Sequence, residues 1–275
     1  MEKESLDDRM KLYEAIEAQR HLIPLLPICC RLDGKCFSSF TRDLVRPFDI
    51  VFSQMMIETT KFLVEEANAC IGYTESDEIS LIIYSDSTKS QVFFDGRIQK
   101  LTSVLASLAT AKFLSLVFER LPDKARELPV FDCRVWNVPN KEEAVNSILW
   151  REIDSTKNSY SMSARCYYSA KELHGKNSSE IQEMLFQKGI NWSDYPFHFK
   201  RGTFIQRKKV LRKFTASELD KLPPKHKARE DPDLVYERSE VEIVSMPPFS
   251  TIVNRVGVIF NGEEPVTEKK GNKNE

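Results

Sequence analysis

From Phe48 onward the apolar positions Phe48, Val51, Phe52, Met55, Phe62 and Leu63 recur at helical spacing, and Pro47 is well placed to open that helix. Upstream, the run from Leu25 to Asp33 alternates as a strand does. Ile28, Cys30 and Leu32 share one face, and Cys29, Arg31 and Asp33 the other. Downstream, Ala69 to Tyr73 is a short strand candidate, and Ile79 to Tyr84 is rich in β-formers, so Thr74 to Asp77 reads as the turn between them. A second helix is predicted from Arg97 to Arg120, with Leu101, Val104, Leu105, Leu108 and Ala111 as its buried stripe and Pro122 ending it. Val130 to Val138 is the next strand, and a polar amphipathic helix over residues 5–20 precedes them all.

The order is β-α-β-β-α-β. That predicts an α+β fold of the ferredoxin-like βαββαβ type, the topology of a polymerase palm, with additional helices and a C-terminal extension. Residues 1–140 would form the palm-like catalytic domain, and residues 141–262 a helical, basic-aromatic extension on the same globule. Residues 263–275 read as a charged, disordered tail. Within the extension, Lys141 to Ala170 reads as mainly helical and Ser178 to Gly189 as a short helix. Leu219 to Asp233 reads as a loop, and Val241 to Val244 and Thr251 to Val258 as strands.

Composition adds limits rather than a function. The 275 residues are 41% hydrophobic and 29% charged, as in a soluble globular chain, and the net charge of -1 argues against a surface basic all round but not against a local basic groove. Six cysteines without a Cys-x-x-Cys pair suit reduced thiols better than zinc. Leu22 to Cys30 is too short to cross a membrane, and Met-Glu-Lys-Glu-Ser is not a signal-peptide start. An intracellular setting, cytoplasmic or organellar, with no membrane partner is expected.

The chemistry concentrates in two motifs, Arg31-Leu32-Asp33-Gly34-Lys35-Cys36-Phe37 and Thr74-Glu75-Ser76-Asp77-Glu78. Each aspartate alone is explained by a strand end or a turn. Together, in this order, they suit two Mg2+ ions bridging carboxylates and triphosphate oxygens. Gly34 permits a tight turn that offers its carbonyl, and the amides of Lys35 to Ser38 would cradle phosphates. Arg97 and Lys100 share a helix face and suit a phosphate clamp or a solvated helix end. Asp132 and Arg134 share a strand face, where a surface ion pair serves equally well. Arg151, Asp154 and Asn158 form a polar helical stripe. Lys200 to Lys213 holds Lys200, Arg201, Arg207, Lys208, Lys209, Arg212 and Lys213 and no acidic residue, with Phe197, Phe199, Phe204 and Phe214 interleaved or flanking. That run suits either nucleic-acid binding or a solvated face.

Taken together these residues resemble the tRNA-His guanylyltransferase family, which adds nucleotides in the 3′-to-5′ direction. The match runs through Arg31-Leu32-Asp33-Gly34…Phe37…Phe40, Ser76-Asp77-Glu78, Arg97-x-x-Lys100, Phe131-Asp132-x-Arg134…Pro139, Trp150-Arg151-x-x-Asp154…Asn158 and Gly189-Ile-Asn-Trp…Pro196…Phe199-Lys-Arg-Gly202. The resemblance implies a nucleotidyltransferase acting on tRNA with ATP and GTP as substrates, two Mg2+ ions and a homotetramer. It implies metal ligation by Asp33, the Gly34 carbonyl and Asp77, with Glu78 beside them as a catalytic carboxylate. It implies nucleotide contacts from Arg31, Asp33, Gly34, Lys35, Cys36, Phe37, Ser38, Ser76, Asp77, Arg97, Lys100 and Asn158. It implies tRNA contacts from Asp154, Lys200, Arg201, Arg207, Lys208 and Lys209.

One departure is informative. Where eukaryotic guanosine-adding members read His-Ile-Asn-Asn, this chain reads Thr156-Lys157-Asn158-Ser159. That resembles the like-protein branch, which repairs 5′-truncated tRNAs by templated addition. Addition of the extra guanosine, a nucleotidyl cyclase and a non-catalytic RNA-binding protein are the alternatives.

Overall fold

The alternation around Cys30 places a strand, β1 (Ile28–Gly34), in the interior of a six-stranded antiparallel sheet, next to its edge strand, in the computed structural model that describes residues 5–87, 89–90, 92–231 and 233–268. The other strands are β2 (Ile71–Glu75), β3 (Glu78–Ile83), β4 (Phe131–Asn137), β5 (Thr203–Lys213) and β6 (Val235–Val244), in the order β4-β1-β3-β2-β5-β6. The first four stand in the arrangement a βαββαβ unit requires. β5 and β6 extend the same sheet from the C-terminal half.

The two faces of β1 go to two cores. Ile28, Cys30 and Leu32 pack with Ile79, Leu81 and Ile83 against helices α2 (Ile50–Glu66) and α3 (Ile98–Arg120). Cys29 packs with Ile71, Tyr73, Ile82 and Phe204 against α4 (Lys141–Ala164) and, beyond α5 (Ser178–Gln187), the short α6 (Arg255–Asn261). α3 is long and apolar enough to cross a membrane, but its stripe of Leu101, Leu105, Ala109, Phe113, Leu116 and Val117 is buried in the first core. The early helix, Leu6–Ala18, has no buried residue.

Several boundaries differ from the expectations. Asp49, not Pro47, caps α2: its Oδ1 accepts from the Phe52 amide at 2.9 Å, and the helix starts at Ile50. β1 begins only at Ile28, because Leu25 takes a left-handed conformation with φ 63°. The basic run 203–213 is a strand, and part of the expected loop 219–233 lies in a capped helix, Ala216–Lys221. Thr251 to Val258 is a short 3-10 turn followed by α6. Of the expected tail, Val266 and Glu268 pair with Val253 and Thr251 (Val253 N to Val266 O 2.8 Å, Glu268 N to Thr251 O 3.1 Å), and residues 269–275 lie outside the described residues.

Candidate active site

Three local devices bring Asp33 and Asp77 together. β1 and β3 pair so that Asp33 stands opposite Glu78, and Glu75 stands opposite Glu78 across the β2–β3 hairpin. Only Ser76 and Asp77 therefore remain to make the turn, and Ser76 takes φ 45°, a left-handed conformation that costs a side-chain-bearing residue on the order of 1 kcal/mol or more. The Gly34 amide then donates to the Asp77 carbonyl at 3.1 Å, tying the end of β1 to the turn.

Gly34 is needed for packing. A Cβ there would lie 2.4 Å from the Phe37 ring, which folds back over it. Phe37 is seated among Phe40, Phe113 and Phe131 at centroid distances of 5.4, 5.4 and 5.0 Å. Cys36, at φ 60°, begins a single helical turn, Phe37–Phe40. The amides of Cys36, Phe37 and Ser38 stand where a helix start leaves donors without intrahelical acceptors. The Lys35 amide is not part of that cradle: it donates to the Val130 carbonyl at 2.9 Å.

Asp33, Ser76 and Asp77 line one end of a cleft of about 480 Å³. Its other walls are Leu44 to Asp49, Phe52 and Ser53 from the segment entering α2, Arg151, Ser155, Asn158 and Met162 from α4, and His198 and Phe199. The part at Asp33 and Asp77 is thus anionic, and the remaining walls mix apolar and aromatic side chains with Arg46, Arg165 and several hydroxyls. Phe48 and Phe199 stack at 5.0 Å, and His198 crosses Phe48 at 5.4 Å. The His198 Nε2 is buried without a partner among the described residues, and burial lowers its pKa.

Around the β2–β3 turn, four carboxylates of the cleft lining, Asp33, Glu75, Asp77 and Glu78, and Asp154 beside them divide in two. Glu78 takes a forked pair from Arg151 (Nε to Oε1 2.6 Å, Nη2 to Oε2 2.8 Å), Glu75 takes Nη2 at 3.1 Å, and Asp154 takes Nη1 at 3.1 Å. Asp33 and Asp77 enter none of the ion pairs among the described residues. Burial pushes the Asp77 carboxyl above the usual range, and the adjacent Asp33 charge adds to it. Burial likewise raises Glu78 despite its ion pair and pushes Glu75 up to about 7. No group of three or more His, Cys, Asp or Glu converges among the described residues. The donor set is therefore two hard carboxylates without a counter-cation, which fits Mg2+ completed by water and phosphate oxygens and does not fit a closed protein cage.

The remaining expected residues fare unevenly. Of the others only Asn158 lines the cleft. Arg31 stands near Glu78 with its guanidinium 5.4 Å over the Trp150 ring, Phe37 is buried in the first core, and Lys35, Cys36 and Ser38 follow the end of β1 in the chain without lining the cleft. Arg97 and Lys100 do not come to it. The Phe131 amide, opposite Gly34, binds Thr110 Oγ1 at 3.1 Å, and Arg97 lies 110 − 97 = 13 residues up α3, about 20 Å at 1.5 Å per residue. Glu78 is held by Arg151 and is not a free carboxylate. Asp154 is on the same guanidinium.

The basic run is largely neutralised. Lys208 pairs with Glu242 at 3.3 Å and Lys209 with Glu237 at 2.9 Å across the β5–β6 ladder. The Arg207 Nη2 donates to the Val64 and Glu65 carbonyls at 2.8 and 3.2 Å, closing the C-terminus of α2. Arg201 pairs with buried Glu152 at 3.5 Å, and Lys200 donates to the Ser193 carbonyl at 2.5 Å. The acidic partners of Lys208 and Lys209 lie about thirty residues downstream and that of Arg201 about fifty upstream, so the local window showed only one sign of charge. The Asp132–Arg134 pair forms at 3.6 Å on the surface. Sequence reasoning missed Glu75, the wall 44–49 and His198. Glu75 alone had a signal, since a two-residue turn places it opposite Glu78.

Comparisons with known proteins agree with this geometry. The family model described as tRNAHis guanylyltransferase (Thg1) matches residues 7–139. The tRNA(His) guanylyltransferase of Saccharomyces cerevisiae is 30% identical over 220 residues, covering 73% of this chain and 91% of the yeast protein. A bacterial tRNA(His) guanylyltransferase (Thg1)-like protein solved in complex with ATP superposes with a TM-score of 0.70 at 38% identity, over 74% of this chain and 88% of that one. One solved with GTP gives 0.63 at 34% identity, over 74% and 86%.

Proposed function

Belonging as it does to the tRNA-His guanylyltransferase family, the chain is a nucleotidyltransferase, and we propose that it extends the 5′ end of tRNA by template-directed addition at the Asp33–Asp77 cleft. The observation that carries the site is the pair of adjacent carboxylates without a protein counter-cation, next to the first-turn amides of Cys36, Phe37 and Ser38. Asp33, Asp77 and the Gly34 carbonyl would hold Mg2+, which would supply positive charge to bound phosphates. The chain's own residues hold and orient. The first-turn amides take phosphate oxygens, and the apolar walls at Leu44, Phe48 and Phe199 take a nucleobase. Water is displaced from the cleft as substrates fill it, which strengthens every remaining electrostatic contact.

In the proposed reaction the tRNA 5′-monophosphate attacks the α-phosphate of ATP or GTP, and pyrophosphate leaves. The 3′-hydroxyl of the incoming nucleotide then attacks the activated 5′-phosphate, and the nucleoside monophosphate leaves. Two features support repair over guanosine addition: Thr156-Lys157-Asn158-Ser159 in place of His-Ile-Asn-Asn, and, on superposition, 38% and 34% identity to the bacterial like-proteins against 28% to the yeast enzyme.

The test incubates the protein with Mg2+, ATP, GTP and a 5′-monophosphorylated tRNA lacking its first nucleotide, beside full-length tRNA-His. Extension that follows the opposing template base is expected. A single guanosine on full-length tRNA-His, whatever base opposes it, would replace the repair reading with guanosine addition.

A further inference from the structure

We propose that Arg151 is a positioning residue for the metal carboxylates: by clamping Glu75 and Glu78, which flank the Ser76-Asp77 turn, it sets where the Asp77 carboxylate stands relative to Asp33. The inference rests on the reading of Asp33 and Asp77 as the metal pair.

Glu75 and Glu78 stand directly opposite one another where the hairpin closes. Like charges so placed repel and would splay the strand ends. Both are nearly shut off from water, their side chains 8% and 12% exposed, and that of Arg151 is 11% exposed. The guanidinium answers this with a fork. Two of its nitrogens take both oxygens of Glu78, at 2.6 and 2.8 Å, and the Nη2 of that pair also reaches Glu75 at 3.1 Å. Lysine brings one ammonium centre and cannot reproduce three planar contacts in two directions. With both ends pinned, two residues remain between them, and Ser76 is already in a left-handed conformation. The backbone of Asp77 therefore has little freedom that Arg151 does not remove.

The clamp also reaches the other carboxylate. Arg151 lies 4.8 Å over the Trp150 ring, and the guanidinium of Arg31 lies 5.4 Å over the same ring. Arg31 shares a face of β1 with Asp33, two residues on. One turn of α4 thus holds the hairpin through Arg151 and β1 through Trp150. Next along the helix, Ser155 lines the same cleft as Glu75. Glu78, expected to act as a catalytic carboxylate, becomes part of this frame.

The experiment compares full-length wild type, Arg151→Lys, Arg151→Ala and Asp77→Ala. It reads Mn2+ binding by electron paramagnetic resonance in the presence of ATP, the Mg2+ half-saturation of tRNA extension, and the Tm without metal. Loss of a partner that orients a metal ligand typically costs 10–100-fold in metal affinity. Arg151→Lys is expected to raise both metal constants by about tenfold or more, with the protein still folded and its metal-free Tm lowered as the weaker clamp loosens the hairpin. Added guanidinium should partly restore Arg151→Ala. If the alanine variant does not fold, the lysine variant decides. Wild-type metal constants in Arg151→Lys, or a fall in Tm with metal affinity unmoved, overturns the proposal and leaves Arg151 a packing residue. Wild-type protein whose Mn2+ binding is absent or indifferent to Asp77→Ala overturns the metal reading itself, a result distinct from the other.

Discussion

Asp33 and Asp77 differ from Glu75, Glu78 and Asp154 not in chemistry but in having no cation among the described residues. An unneutralised, partly buried pair is a cost to the empty fold, which a bound cation removes. Asp77→Asn keeps the shape and deletes one charge. It is expected to lower extension by on the order of 10²–10³-fold, to leave tRNA affinity within a few-fold, and to raise the metal-free Tm. Equal activity, or a lower Tm, would contradict the assignment. Arg207 shows how residue type misleads when the partner is unknown. Its place in a basic run suggests phosphate contact, yet its guanidinium caps the carbonyls of Val64 and Glu65 at the negative end of α2. Arg207→Ala should therefore destabilise the fold by about 1.5–3 kcal/mol in urea denaturation, through α2.

At the scale of elements, helical periodicity carried the reading where a helix buries one face, as α2 and α3 do. β1 and β3 bury both faces and were legible as short apolar runs with strand spacing. β5 was not legible, and of β6 only Val241 to Val244 was. Their outer halves are exposed on both faces and bear charges that pair only after the strands meet, so the sequence shows a cationic block and, separately, an acidic one. The short α6 alternates no more clearly than a strand does, and only the burial of its Val258 and Ile259 in the core that holds Phe249 selects the helix. The pairing of β5 and β6 leads to two expectations. Lys208→Ala and Lys209→Ala should leave the slope of log affinity for tRNA against log salt unchanged, where a true phosphate contact would lower it by about 0.9; a slope reduced by that amount would restore the strand as a tRNA surface. The insert between the two strands is anchored by Glu218, whose carboxyl is held down to about 2, first by the Thr215 backbone and side chain and then by Arg212. A depressed acid contributes stability that is present above its unfolded pKa and lost as pH falls toward the folded value. Amide exchange in 214–234 should therefore quicken between about pH 4.5 and 2, and do so less in Glu218→Gln.

For the molecule as a whole, the question is whether residues 1–140 and 141–262 act as one body. The sheet passes between them where β2 pairs with β5, Thr74 opposite Thr203, and the cleft takes Asp33, Phe48 and Asp77 from the first stretch and Arg151, Asn158 and Phe199 from the second. Nothing in local sequence could show this, because every such contact joins positions more than sixty residues apart. A ligand seated in a cleft shared in this way must stabilise both stretches at once. At a hundred times its Kd it adds about 2.7 kcal/mol to the native state, and for a chain of this size that is roughly 5–10 °C in Tm. Calorimetry with Mg2+ and ATP should then show one transition displaced upward by that amount, and no displacement in Asp77→Asn. Two transitions, of which the ligand moves only one, would mean that the C-terminal half is a separate body and that the walls it lends to the cleft bind nothing.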